Sequence, residues 1–146
     1  MRFWDSSAIV PLLAPQAATT AMERLLDADS QMLVWWGTTV ECVSALARLE
    51  REGVMSADDV GASQSRMRAL ALVWHEVQPH VRVRANAERL LRVHPLRVAD
   101  ALQLAAALEV SSGVPSDLEL VCLDRRLAEA ASREALVVVS GGIERR

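Results

Sequence analysis

The stretch Leu120-Val121-Cys122-Leu123-Asp124-Arg125-Arg126-Leu127-Ala128 decides the fold. Four apolar residues in a row suit a strand buried on both faces, as strands are inside a parallel sheet. The strand ends at Asp124, and Arg125 to Arg133 reads as a helix. Downstream, Leu136 to Val139 is a last strand, and the tail from Gly141 to Arg146 is expected to fray. Upstream, Ser111 to Glu119 is a loop, and Val98 to Val110 is a nearly all-apolar helix. His94-Pro95-Leu96 separates that helix from another over Ala85 to Val93.

The same alternation runs back to the N-terminus. Arg2 to Asp5 is a short apolar strand, and Ser6-Ser7 offers N-caps for a helix beginning near Ala8. Thr19 to Leu26 is a helix with Met22, Leu25 and Leu26 on one face. Met32 to Trp36 is a continuous apolar run of strand type, buried on both faces. Val40 to Gly53 is a helix with Val40, Val43, Leu46, Ala47 and Leu49 on its apolar side, and Gly53 is its C-cap. Ser56 opens a further helix reaching about Leu72. Val73 to Val83, with Pro79 and the alternation of Val81 and Val83, reads as a loop or a poor edge strand. Strands alternating with helices imply an α/β fold, with one parallel sheet covered by helices on both faces. In such sheets the ligand crevice lies beyond the carboxyl ends of the strands, near the topological switch point.

A chain of 146 residues has room for a single domain over residues 1–146, and it contains no linker or internal repeat. Its 51% hydrophobic and 24% charged residues are those of a globular protein. No apolar run is long enough to span a membrane, and an aspartate as early as Asp5 argues against a secretory leader. Cys42 and Cys122 both sit in apolar stretches and are expected to be buried thiols of a cytoplasmic protein. The net charge of −3 lacks the basic footprint of most nucleic-acid binders. Two facts soften that exclusion. All 16 basic residues are Arg, the better phosphate clamp, and acids gathered on a divalent cation no longer act as net negative charge.

The crevice rule picks out four acids. Asp5 and Asp124 each close a strand. Glu41 lies in the first turn of the helix after the Trp35-Trp36 strand. Asp100 lies in the first turn of the Val98 to Val110 helix, but that helix follows another helix, which fixes its place less directly. Each acid also has an ordinary structural use. Thr38-x-x-Glu41 has the spacing of a capping box, first-turn acids suit the helix dipole, and Asp5 and Asp124 can cap the helices they precede. Against this, Asp100 sits among Val98, Ala99, Ala101 and Leu102, where a lone carboxylate is costly. Like charges in one pocket also destabilise each other unless a cation joins them. A set of oxygen ligands suits Mg²⁺ or Mn²⁺ and not zinc.

Four segments carry a resemblance. They are Phe3-Trp4-Asp5-Ser6-Ser7-Ala8-Ile9-Val10-Pro11-Leu12, Thr39-Val40-Glu41-Cys42-Val43-Ser44-Ala45-Leu46, Leu96-Arg97-Val98-Ala99-Asp100-Ala101-Leu102-Gln103-Leu104-Ala105-Ala106-Ala107, and Cys122-Leu123-Asp124-Arg125-Arg126-Leu127-Ala128. In order and spacing the chain resembles PIN domains, and more narrowly the VapC-type toxins of bacterial toxin–antitoxin pairs. The resemblance implies a three-layer sandwich around a parallel sheet and metal-dependent endoribonuclease activity leaving 5′-phosphate and 3′-hydroxyl ends. It also implies a homodimer and inhibition by a cognate antitoxin. It carries the acidic role onto Asp5, Glu41, Asp100 and Asp124, and a hydroxyl role onto Ser7. Gln103 departs from the pattern, since family members often have an aromatic or His near it.

The expected reaction is hydrolysis of an RNA phosphodiester with Mg²⁺ or Mn²⁺ on the carboxylates. Asp5 and Asp100 are expected as direct ligands, Asp124 as a ligand directly or through water, and Glu41 as a ligand or as the group orienting the attacking water. Ser7 is expected to hold Asp5 or a water. Arg97, Arg125 and Arg126 are candidate phosphate clamps, or a solvated helix face. Arg82, Arg84, Arg89 and Arg92 form a second basic stretch, equally open. His75, His80 and His94 lack zinc-helix spacing, and no nucleophile elbow is present. One of Trp35 and Trp36 is expected in the core, and base stacking by the other is open. The rival from another class is a catalytically inert PIN-like module acting through protein contacts. A phosphotransfer receiver needs a Lys, which the chain lacks. DNA cleavage by the same chemistry stays open.

Overall fold

The structure is a computed structural model that describes residues 1–111 and 113–142. Among these residues the elements are β1 (Arg2–Trp4), α1 (Ser6–Leu13), α2 (Thr19–Ala28), β2 (Met32–Trp35), α3 (Thr38–Arg51), α4 (Ala57–Ala71), β3 (His75–Val77), α5 (Val81–Val93), α6 (Val98–Val110), β4 (Glu119–Val121), α7 (Arg125–Arg133) and β5 (Val137–Val139). A 3₁₀ turn at Pro115–Asp117 interrupts the loop before β4. The five strands are all parallel, in the order β3-β2-β1-β4-β5. The winding reverses between β1 and β4, so the switch point lies between the carboxyl ends of those two strands.

Successive strand residues point to opposite faces, and two cores result. Phe3, Trp35, Val77 and Leu120 pack against α5, α6 and α7. Trp4, Val34 and Val121 pack against α1, α2, α3 and α4. The expected three-layer α/β/α sandwich is therefore present. Each large apolar side chain buried this way contributes roughly 1.5–3 kcal/mol.

Several local expectations are corrected. Over Val73 to Val83 the edge-strand reading holds for three residues only, and the segment from Val81 is helical. His75–Val77 forms the parallel edge strand β3 against β2, and α5 begins at Val81, four residues before the expected start. The Nδ1 of His80 accepts the backbone N–H of Arg82 at 3.3 Å. That cap opens the helix, and Val83 turns into the core. Strand β2 stops at Trp35, which is buried, whereas Trp36 is 51% exposed. Helix α1 begins at Ser6, because Asp5 and not a serine is its N-cap.

Helix α3 is rotated from its expected setting. Thr38, Cys42 and Leu46 are its buried residues, while Val40 is 66% exposed and Val43 is also exposed. This rotation turns Glu41 toward the switch point. Cys42 and Cys122 are free and buried, as expected. Trp74 is buried and donates its Nε1–H to Glu76 Oε1 at 3.1 Å. Among the described residues no helix is long and apolar enough to cross a membrane. Most of the tail expected to fray, residues 143–146, lies outside the described residues.

Candidate active site

The acidic site forms where β1 and β4 diverge. The backbone N–H of Asp5 donates to Val121 O at 3.0 Å, which holds the end of β1 against β4. Asp5 then caps α1: its Oδ2 accepts the N–H of Ser7 at 3.0 Å. The residue is only 3% exposed. Burial raises its pKa to about 6, the Ser7 hydroxyl and amide hold it down, and the charges of Asp100 and Asp124 push it up further.

Glu41 enters from the first turn of α3. Its Oε2 accepts from the Ser6 hydroxyl at 3.0 Å and its Oε1 from the Gln103 Nε2 at 3.2 Å. Burial raises its pKa to about 7. The charge of Asp5 raises it further, the Gln103 and Ser6 bonds lower it, and Asp100 adds repulsion. The capping-box use of Glu41 is not realised: Gly37 is the N-cap of α3 and no side chain caps it. Thr38 Oγ1 instead receives Gln103 Nε2 at 3.4 Å.

Asp100 stands in the first turn of α6, half-buried, and its Oδ2 accepts the Arg97 N–H at 3.3 Å. Burial raises its pKa, and Asp124 adds to the rise. The Arg97 amide opposes it most, followed by the charges of Arg97 and Arg126. Asp124 is exposed and caps α7, its Oδ1 accepting the Leu127 N–H at 2.8 Å. The Ser7 hydroxyl accepts the N–H groups of Leu123 and Asp124 at 3.0 and 3.1 Å. Ser7 thus holds the exit of β4 as well as Asp5.

Asp5, Ser7, Glu41, Asp100 and Asp124 line one cavity of about 440 Å³, together with Ser6, Arg48 and Arg97. All four acids picked from the sequence are therefore brought together. Arg97 also lines an adjoining cavity of about 450 Å³ with Arg125 and Arg126. Arg125 is already paired with Glu129 at 2.9 Å. Of the second basic stretch, Arg82 pairs with Glu109 and Arg89 with Glu134.

Sequence reasoning missed Ser6, Gln103 and Arg48. Arg48 had a signal: it follows Glu41 by seven residues, with Ser44 between, so the three share one helix face. Gln103 is the one polar side chain in an otherwise apolar stretch of α6, three residues after Asp100. Ser6 was masked by its neighbour Ser7.

The donors can be tested against a cation. They are carboxylate oxygens and hydroxyls, with no imidazole on the cavity wall. The Cys122 thiol lies 3.8 Å from Asp5 Oδ2, but burial pushes its pKa well up, so it stays protonated. That set fits a hard divalent ion. Among the described residues, however, no three His, Cys, Asp or Glu side chains already stand close enough to hold one metal ion. Mutual repulsion without a counter-charge and the pull of the caps both favour that spread.

The sequence matches no protein-family model and no curated protein. Solved structures do match over almost the whole chain. A toxin–antitoxin complex from Klebsiella pneumoniae aligns with a TM-score of 0.66 at 15% identity, over 97% of this chain and 98% of that one. FitAcB from Neisseria gonorrhoeae aligns with a TM-score of 0.67 at 18% identity, over 97% and 98%. FitAB bound to an IR36 DNA fragment aligns with the same TM-score and identity, over 99% and 98%. The likeness is one of fold.

Proposed function

We propose that this chain is a Mg²⁺- or Mn²⁺-dependent endoribonuclease, the toxin of a toxin–antitoxin pair. The observation that carries the reading is the meeting of Asp5, Glu41, Asp100 and Asp124, from four separate segments, on one cavity wall at the switch point. The fold neighbour solved as a toxin–antitoxin complex supports a cognate antitoxin as partner; the homodimer rests only on the sequence resemblance.

Asp5, Asp100 and Asp124 would hold the ion, with Glu41 beside it. Bound there, the ion supplies Lewis-acid charge for attack on the phosphodiester. The protein's own residues do the rest. Glu41, held at both oxygens, accepts a hydrogen bond from the attacking water and orients it in line with phosphorus. Ser7 fixes the chain on which Asp124 rides. Arg97 and Arg126 bind phosphates on the side of the adjoining cavity. Without the ion, burial raises the proton affinity of Asp5 and Glu41; with an ion bound, the Asp5 carboxylate would stay ionised as a ligand.

A second reading keeps its own support. Asp5, Asp100 and Asp124 each already bond a backbone N–H, so an inert binding module of the same fold would retain them. Cleavage-site mapping on total RNA with Mn²⁺, wild type against Asp100→Asn, decides between the two. Asn keeps the acceptor for the Arg97 amide and loses only the charge. Cleavage lost in the variant is the expected result. Cleavage by neither protein supports the inert module, and cleavage by the variant at the wild-type rate overturns the assignment of Asp100. The toxin role is read separately: expression without a partner should arrest growth, and Asp5→Asn should relieve it.

A further inference from the structure

We infer that Gln103, together with Ser6, is a positioning residue that aims the Glu41 carboxylate into the cavity. The inference rests on the nuclease reading above only for its kinetic consequence.

Gln103 is 1% exposed and lies on α6 among Ala101, Leu104, Ala105 and Ala106, all fully buried. An apolar side chain of its size would fill that place at no polar cost. The amide is instead spent on one target. Its Nε2 donates to Glu41 Oε1 at 3.2 Å and to Thr38 Oγ1 at 3.4 Å. Its own Oε1 is buried without a partner. A donor kept at the cost of an unpaired acceptor is poor design for a core and good design for a grip.

The other Glu41 oxygen is held independently. Ser6, the first residue of α1, donates its hydroxyl to Oε2 at 3.0 Å. Two neutral donors from α6 and α1 thus take one oxygen each of a carboxylate on α3. No cationic side chain takes part in those bonds. A guanidinium there would have satisfied Glu41 and competed with any cation in the cavity. Neutral donors fix its direction and leave its charge unspent.

The test is Gln103→Met, which fills the same space without a donor, with Ser6→Ala as its partner. Metal-free protein is labelled with ¹³C at glutamate carboxyls, and the Glu41 signal is followed. The expected result is a displaced, broadened Glu41 signal in Gln103→Met, at a melting temperature equal to or above wild type. Mn²⁺ binding by calorimetry and RNA cleavage should each weaken about 10- to 100-fold. The cleavage loss should fall on kcat and leave KM near wild type. Ser6→Ala should show the same pattern, since either grip alone leaves the carboxylate free to swing.

An unmoved Glu41 signal with unchanged Mn²⁺ affinity overturns the inference and makes Gln103 a space-filler. If wild type neither binds Mn²⁺ nor cleaves RNA, the nuclease reading falls, and the metal-free Glu41 signal alone decides the role of Gln103.

Discussion

The hydroxyl of Ser7 accepts two consecutive backbone N–H groups, those of Leu123 and Asp124, across the sheet's switch point. One side chain at the start of α1 thereby sets where the chain leaves β4. The loop that carries Asp124 has its geometry fixed from a segment more than a hundred residues away in sequence.

Ser7→Ala removes the acceptor for both amides at once. It should cost about 1–3 kcal/mol if the amides go unpaired, and less if water reaches them. Denaturant unfolding with matched slopes measures the loss. Cleavage should fall further than stability predicts, because Asp124 is no longer held on the cavity wall. A variant equal to wild type in both assays would show that the two bonds do not form in solution.

Acid should stabilise the metal-free protein through this site. Burial and mutual repulsion raise the folded pKa of Asp5 to about 6 and of Glu41 to about 7, above their usual carboxylate values. The folded state therefore binds more protons than the unfolded chain between those values and the ordinary ones. The stabilisation is complete below the ordinary values and is lost as pH rises through 6 to 7. The pKa of Glu134 is lowered by its bond to Arg89, so its contribution is lost only at lower pH. Unfolding midpoints in chelator should fall between pH 5 and pH 8, and Mg²⁺ should restore much of the loss at pH 8. A midpoint that instead rises across that range would count against the buried pair.

The basic rim should govern binding and not chemistry. Arg97→Ala and Arg126→Ala should each raise KM for RNA several-fold with kcat nearly unchanged. Each should also flatten the salt dependence of binding by about 0.7 in log–log slope, the value for one lost single-strand phosphate contact. Arg125→Ala should matter less, because its guanidinium is already committed to Glu129. KM at low and high salt for the three variants is the check. Equal slopes throughout would place the RNA backbone elsewhere.

Much of this is legible in the sequence alone. The strand-then-helix rhythm revealed the parallel sheet, and the crevice rule found Asp5 and Asp124 because each ends a strand. Glu41 is found because it lies in the first turn of the helix that directly follows β2, although the setting of that helix differs from the expected one. The apolar side of α3 was read from Val40 and Val43, yet the helix buries Thr38 and Cys42. Cys42 joins the core shared with α1, α2 and α4, and Thr38 receives Gln103 at the sheet edge; hydrophobicity alone does not report that setting. Asp100 was the hardest to place, since it follows a helix and not a strand. The pairing of Gln103 with Glu41 is not legible at all: α3 and α6 cover opposite faces of the sheet and meet only near their N-terminal ends beyond the strands, which no local pattern records.

Three of the four acids hold a backbone amide in addition to facing the cavity; Glu41 alone serves no helix end. A lineage that gave up cutting RNA would therefore be under pressure from folding to keep Asp5, Asp100 and Asp124, or Asn in their place. No helix end depends on position 41, so beyond the lost chemistry only the bonds to Ser6 and Gln103 would defend it. In chains of this shape, an intact trio of aspartates says little about whether the protein is alive as an enzyme, and the occupant of that single glutamate position says a great deal.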